Sequence, residues 1–365
     1  MRLGMNENKH CPEIFKVYPG LENKIDWLPM GSFPTPVMKL ERLGFENLWI
    51  KRDDLTSNIY GGNKIRKLMF ILAHVQSRNK SHIITPGGIG TNHGLATTIF
   101  AKQLGFKTTL LLFHQPVTVN VKQNLALFAR HGAELLYKKT LFNAMLWYYC
   151  FCRIRYPGAY FLYPGGSNVF GTIGYVNAVF ELKQQVDNGL MPMPKVIFCP
   201  LGSGGTLAGL ALGLRLTGLP ISLFGVQVSM SHLGPFPAVT AGTVRNLMKN
   251  TYRYLKRMGG SLPEITMGTP AILDTYLGDG YGHPTPACSK SYVLMKDREN
   301  IELDPTYTAK TFAAVLDYCQ SNRKDTVLFW NTYNSVDMTS GEDSADYHRL
   351  PVQLKKYVEA DTVYY

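Results

Sequence analysis

Gly61-Gly62-Asn63-Lys64-Ile65-Arg66-Lys67-Leu68, preceded by Lys51-Arg52-Asp53-Asp54-Leu55, is the stretch on which the rest of the chain turns. A strand-like run gives way here to a helix, and a lysine stands directly behind two glycines and an asparagine. A lysine amine becomes a nucleophile only where its ammonium is made unfavourable, by desolvation or by neighbouring cations. Arg66 and Lys67 lie within one turn of Lys64, and the glycines would let a flat ligand approach the backbone closely. The same residues also fit a plain turn followed by a basic helix start.

Outward from this stretch, apolar runs alternate with amphipathic ones. His82–Thr85 leads into Pro86-Gly87-Gly88, Thr108–Phe113 is leucine-rich and β-branched, and Val196–Pro200 leads into Leu201-Gly202-Ser203-Gly204-Gly205. Leu223–Val228 and Thr326–Trp330 complete the set of expected buried strands. Between them Gly94–Leu104, Val121–His131 and Thr206–Leu216 have helical spacing. Strands alternating with helices imply βαβ units and a parallel sheet, with ligands at the carboxyl ends of the strands. Ser231–Gly268 is less periodic, with a helix expected near Val244–Met258, and the polar tail after Ser340 has no assignment.

Of 365 residues, 45% are hydrophobic and 18% charged, enough for two domains or one large α/β body. The net charge is +12, but the basic residues are scattered with no run of five, so no nucleic-acid stripe is visible. Six cysteines with no C-x-x-C pair fit reduced thiols in a cytoplasmic protein. The first twelve residues carry no apolar core of a secretory signal, and no apolar run reaches the length of a membrane span. No partner membrane and no nucleic acid are expected.

Leu201–Thr206 reads as a phosphate cradle: glycines free the backbone N–H groups, a helix N-terminus follows, and Ser203 and Thr206 add hydroxyls. A plain βα turn is the competing reading. Leu207 stands where a dinucleotide fingerprint needs glycine or alanine, which weakens a nucleotide-binding Rossmann domain, and no Gly-Lys pair exists for a P-loop. At Gly87–Gly94, Thr91 or Asn92 would cap a helix, or hold a carboxylate at its N-terminus. No histidine has metal-ligand spacing, so no metal is expected; H-E-x-x-H and G-x-S-x-G are absent.

Together these motifs resemble fold-type II pyridoxal-phosphate enzymes, in the branch of D-cysteine desulfhydrase and 1-aminocyclopropane-1-carboxylate (ACC) deaminase. The likeness runs from Phe33-Pro34-Thr35-Pro36 to about Asn334. It takes in both opening stretches, Gly87-Gly88 with Thr91-Asn92-His93, Pro164–Asn168, Gly171, Gly174-Tyr175 and Gly202–Thr206. Gly280–Thr285, Leu303–Lys310 and Leu328–Thr332 close it. The resemblance implies a two-domain, tryptophan synthase β-like α/β fold with open, twisted, mostly parallel sheets flanked by helices. Residues 1–65 and 164–365 would form the large domain and 66–163 the small one.

The resemblance also implies roles. Lys64 would form the Schiff base with pyridoxal 5′-phosphate and later shuttle the α-proton. Asn92 would bond the ring hydroxyl, Gly202, Ser203, Gly204, Gly205 and Thr206 the phosphate, and Thr332 would face the pyridine nitrogen. Thr91 would meet the substrate carboxylate, with Asn92 and His93 beside it, and Tyr281, Tyr307 and Thr308 on the substrate side. A neutral hydroxyl at the ring nitrogen limits the electron sink and favours elimination over transamination. Thr308 and Thr332 match the desulfhydrase side, since ACC deaminases commonly carry Glu and Leu there. The implied activity is a lyase (in the deaminating, hydrolase-like sense) acting on a small amino acid, D-cysteine first, with ACC deaminase as the alternative and a homodimer as the assembly. Tyr333-Asn334 replaces the usual glycine pair and Ala309 a usual glycine; bulk at 333–334 would crowd the ring or rebuild the loop. A catalytically silent relative that binds the cofactor or an amino acid is the alternative of another class.

Overall fold

The computed structural model describes residues 11–338 and 347–362. The first elements are α1 (Glu13–Val17), β1 (Val37–Lys39), β2 (Leu48–Arg52), α2 (Asn63–Ser77), β3 (His82–Gly88), α3 (Asn92–Gln103), β4 (Lys107–Phe113) and α4 (Val119–Arg130). Then come β5 (Glu134–Tyr137), α5 (Leu141–Leu146), α6 (Cys152–Arg155), β6 (Tyr160–Phe161), α7 (Val169–Asp187), β7 (Val196–Leu201), α8 (Gly205–Thr217) and β8 (Ser222–Gln227). The last group is β9 (His232–Leu233), β10 (Phe236–Pro237), α9 (Ala241–Arg257), β11 (Ala271–Leu273), α10 (Pro286–Glu299), α11 (Thr308–Ser321), β12 (Val327–Asn331) and α12 (Val352–Glu359).

The larger sheet has the order β1-β2-β12-β7-β8-β11, parallel except for the β1–β2 pair, and the smaller, β5-β4-β3-β6, is parallel throughout. Every residue of β7 and β12 is buried, as expected where helices cover both faces of a parallel sheet. One face of the larger sheet packs on α7, α8 and α9, and the other on α10 and α11 through Phe198, Phe312 and Phe329. The smaller sheet has its own core, to which α12 contributes Leu354 and Tyr357. Helix α2 belongs to both bodies. Met69 and Phe70 enter the core under α7 and α8, while Ile65, Leu68, Ile71, Leu72 and Val75 enter that of the smaller sheet. Its first turn, with Lys64, is thereby set at the junction.

The apolar runs expected as strands are strands. One boundary differs: β3 continues through Pro86-Gly87-Gly88, pairing with Leu111–Phe113 of β4, so those glycines are strand rather than turn. The helix expected near 244–258 spans Ala241–Arg257, begun by a capping box between Thr240 and Thr243. Among the described residues no helix is long and apolar enough to cross a membrane, and all six cysteines are free thiols. The tail from Ser340 lies in part outside the described residues; its described end is α12.

Candidate active site

A cleft of about 1610 Å³ opens where the strand ends and helix N-termini of the two sheets meet. Lys64 reaches into it from the first turn of α2. The helix starts behind Gly62, whose φ of 87° suits glycine. A Cβ there would lie 2.8 Å from the Thr332 carbonyl oxygen and 2.6 Å from that of Tyr333. The Asn63 N–H donates to the Thr332 carbonyl at 3.2 Å, so the end of β12 and the start of α2 are tied together. Lys64 Nζ donates to Asn63 Oδ1 at 2.6 Å, and Asn63 Nδ2 to Thr206 Oγ1 at 3.2 Å.

Lys64 as a residue is half-buried, but its amine is enclosed, and that desolvation lowers its pKa to about 8 against the pull of the Asp304 carboxylate. Burial is the cause; neighbouring cations are not. The Arg66 guanidinium turns away into a buried pairing with Asp53 and Glu181. Lys67 is buried in the cleft wall and donates to the Gly165 carbonyl at 3.1 Å. Burial, then the nearby Lys64, hold the Lys67 amine well below its usual value.

The Gly202–Thr206 loop begins α8. Its N-cap, Gly204, is left-handed at φ 89°, and the Gly205 N–H donates to Ser167 Oγ at 2.9 Å. Ser167 Oγ is also 2.7 Å from Ser203 Oγ. A Cβ on Gly205 would stand 2.7 Å from Ser167 Oγ and 3.2 Å from Lys67 Nζ. The side-chain-free backbone there brings a helix N-terminus, a lysine and two hydroxyls close together: donors that suit a phosphate dianion. Sequence reasoning missed Lys67 and Ser167 as parts of this cradle.

On the other side, Thr91 caps α3, its Oγ1 accepting from the Gly94 N–H at 3.2 Å. Asn92 Oδ1 accepts from Asn124 Nδ2 at 3.0 Å, which leaves the Asn92 amino group for the cleft. His93 is 4% exposed, and neither ring nitrogen has a partner. Burial, reinforced by Lys64 and Lys67, keeps the ring neutral. Two orphaned buried nitrogens in a cleft wall are what a polar ligand would satisfy. The Tyr281 and Tyr307 hydroxyls meet at 2.7 Å, and Thr332 lines the same cleft. The donor set therefore fits pyridoxal phosphate: an anion cradle, a depressed amine, and polar groups without protein partners between them.

Thr308 requires a correction. It is fully buried, and its hydroxyl accepts from the Asp304 N–H at 2.7 Å and donates to Asp304 Oδ2 at 2.9 Å. It anchors a carboxylate rather than facing substrate. Asp304 itself lines the cleft and was not singled out in the sequence, where Asp-Pro before a helix looks like a cap. Burial pushes its carboxyl up, opposed by hydrogen bonds from the Tyr307 N–H and from Thr308. At 333–334 both residues line the cleft: Asn334 Oδ1 accepts the Gly61 N–H at 2.6 Å, and the Tyr333 side chain reaches Asn120.

Comparison with known proteins agrees with this geometry. The family model described as "Pyridoxal-phosphate dependent enzyme" matches residues 28–332. A Thermotoga maritima protein, provisionally named a 1-aminocyclopropane-1-carboxylate deaminase, is 32% identical over 314 residues, covering 82% of this chain and 93% of the relative. A D-cysteine desulfhydrase of Salmonella paratyphi B is 31% identical, covering 81% and 89%. A crystal structure of an ACC deaminase homologue superposes with a TM-score of 0.73 at 30% identity, over 88% of this chain and 95% of that one. Serine racemase from Dictyostelium discoideum shares the fold, with a TM-score of 0.57 at 18% identity over 83% and 93%. The chain belongs to the pyridoxal-phosphate dependent enzymes, in the group that holds the ACC deaminases and D-cysteine desulfhydrases.

Proposed function

We propose that this enzyme converts D-cysteine and water to pyruvate, ammonia and hydrogen sulfide by α,β-elimination. The observation that carries the reading is the enclosed Lys64 amine, with its pKa near 8, in a cleft where Thr332 offers only a neutral hydroxyl. Bound pyridoxal phosphate supplies an aldehyde that captures the substrate amine and a ring that acidifies the Cα–H bond. Lys67, Ser167 and the N-terminus of α8 would hold its phosphate. The Asn92 amino group would meet the ring hydroxyl, and Thr332 would stand at the ring nitrogen without protonating it. Thr91 and the N-terminus of α3 would hold the substrate carboxylate, with the neutral His93 beside it.

An amine that titrates near 8 is neutral in about a tenth of molecules at pH 7 and in about half at pH 8, far more than an ordinary lysine, and Lys64 would take the proton from Cα. The hydrogen-bonded hydroxyls of Tyr281 and Tyr307 would pass a proton to the departing sulfur. Asp304, fixed by Thr308 and the Tyr307 N–H, would balance the positive charge on Lys64 once it is protonated. The site would lie between two lobes, residues 1–65 with 164–365 and residues 66–163, in a cytoplasmic homodimer.

The test is an assay of the holoenzyme for sulfide and pyruvate from D-cysteine, beside 2-oxobutyrate from ACC. Sulfide and pyruvate are expected. 2-Oxobutyrate without sulfide would make the enzyme an ACC deaminase instead, and bound cofactor with no turnover of either would favour the silent relative. Lys64→Ala should lose both covalent cofactor binding and turnover while keeping its far-UV circular dichroism.

A further inference from the structure

The cleft is larger than cysteine needs. It must hold the cofactor as well, yet its volume of about 1610 Å³ exceeds the roughly 300–1,000 Å³ of pockets that enclose whole drug-sized ligands. The polar groups described above occupy its inner part. The outer part has two apolar walls. One is α5 with the π-helical turn Trp147–Phe151 that follows it, presenting Phe142, Leu146 and Tyr149, which are 59%, 43% and 42% exposed. The other is the β9–β10 hairpin and the residues before it, presenting Phe236 at 67% and Met230 at 55% exposed. Large apolar side chains gathered at the mouth of a polar site mark where an apolar part of a ligand gains by leaving water.

We propose that the enzyme also accepts cysteine whose sulfur carries an apolar or aromatic substituent, and releases the corresponding thiol. This rests on the elimination reading above. The amino-acid head would take the place of D-cysteine, and the substituent would run outward along Phe142 and Phe236. Lys64 takes the α-proton, the Cβ–S bond breaks with its electron pair on sulfur, and the thiolate takes its proton from the Tyr281–Tyr307 pair. Water then completes the conversion to pyruvate and ammonia, so each conjugate and one water give one thiol, one pyruvate and one ammonia. No oxidant or reductant enters.

The test measures pyruvate from the holoenzyme with S-benzyl-D-cysteine and with D-cysteine, for the wild type and for the Phe142→Ser, Phe236→Ser double variant. We expect the wild type to turn over the conjugate with a kcat/KM at least equal to that for D-cysteine. The double variant should lose about tenfold of the conjugate's kcat/KM, chiefly through KM, while D-cysteine turnover stays the same and certifies folding. Pyruvate from D-cysteine but none from the conjugate overturns the inference and leaves the elimination reading standing. So does a variant that changes neither substrate, or both alike. Pyruvate from neither substrate removes the elimination reading, and this inference with it.

Discussion

Lys64 and Asp304 face each other with opposite demands. Enclosure disfavours the ammonium and the carboxylate favours it, and enclosure wins, leaving the amine near 8. The neutral amine is the form that attacks an aldehyde. Capture of pyridoxal phosphate by the cofactor-free protein should therefore speed up with pH along a curve centred near 8, rather than near the ordinary 10.5. Asp304→Asn removes the one charge that raises the amine's pKa, so the curve should move to lower pH. Stopped-flow absorbance across a pH series reads both, and an unmoved or upward-moved curve in Asp304→Asn would show that the carboxylate does not reach Lys64. The nucleophile was legible in the sequence because glycine, asparagine and lysine stand together. What depresses it was not: Arg66 and Lys67 look like the cause from spacing alone, whereas Arg66 turns into the buried pairing with Asp53 and Glu181, and enclosure is what lowers the Lys64 amine. Asp304 was hidden because its partner lies 240 residues away in the chain.

At the scale of elements, the site is a meeting of helix N-termini. The α8 end was legible from glycine density between a strand and a helix, and the α3 end from Thr91 in capping position. The rest of the cradle comes from elsewhere: Lys67 from a helix face that reads as merely basic, and Ser167 from the segment before α7. Apolar runs such as β7 and Val327–Trp330 of β12 announce themselves, whereas β1 and β5 are short, partly exposed edge strands with no such signal. The cradle makes its own prediction. Gly205→Val pushes branched carbon against Ser167 Oγ and Lys67 Nζ, two of the groups that would hold the anion. Affinity for pyridoxal phosphate should fall at least about tenfold, ~1.4 kcal/mol, in a cofactor titration, with helix content unchanged. Unaltered affinity would move the phosphate site away from α8.

Across the whole molecule, a buried ionic network holds the lysine's helix in place. Arg66 Nε and Nη2 donate to Asp53, and its Nη1 donates to Glu181 Oε2 at 2.9 Å. Lys51 Nζ donates to Glu181 Oε1 at 2.5 Å, and the Tyr175 hydroxyl and Trp330 Nε1 each reach Asp53 Oδ2 at 2.7 Å. β2, α2, α7 and β12 are thus joined at one knot. Lys51 and Asp53 belong to this frame and not to the cleft, while Arg52 between them pairs with Asp54, a distinction the sequence could not make while Glu181 stood 115 residues from Arg66. Burial alone would raise the Glu181 carboxyl, but Arg66 and Lys51 overcome it and hold it well below its ordinary 4.5. A carboxylate depressed on folding stabilises the fold above its unfolded pKa, and that contribution drains away as pH falls through the folded value. Glu181→Ala leaves two buried cations facing each other, so it should cost ~3–5 kcal/mol at neutral pH, read as a lower urea midpoint. Glu181→Gln keeps much of the shape but not the charge. Its stability should therefore fall less steeply than the wild type's as pH drops below about 4.5, since the proton that breaks the native network has no carboxylate there to find. If wild type and Glu181→Gln lose stability in parallel on acidification, the acid sensitivity belongs to other carboxylates and the knot is held by shape more than by charge.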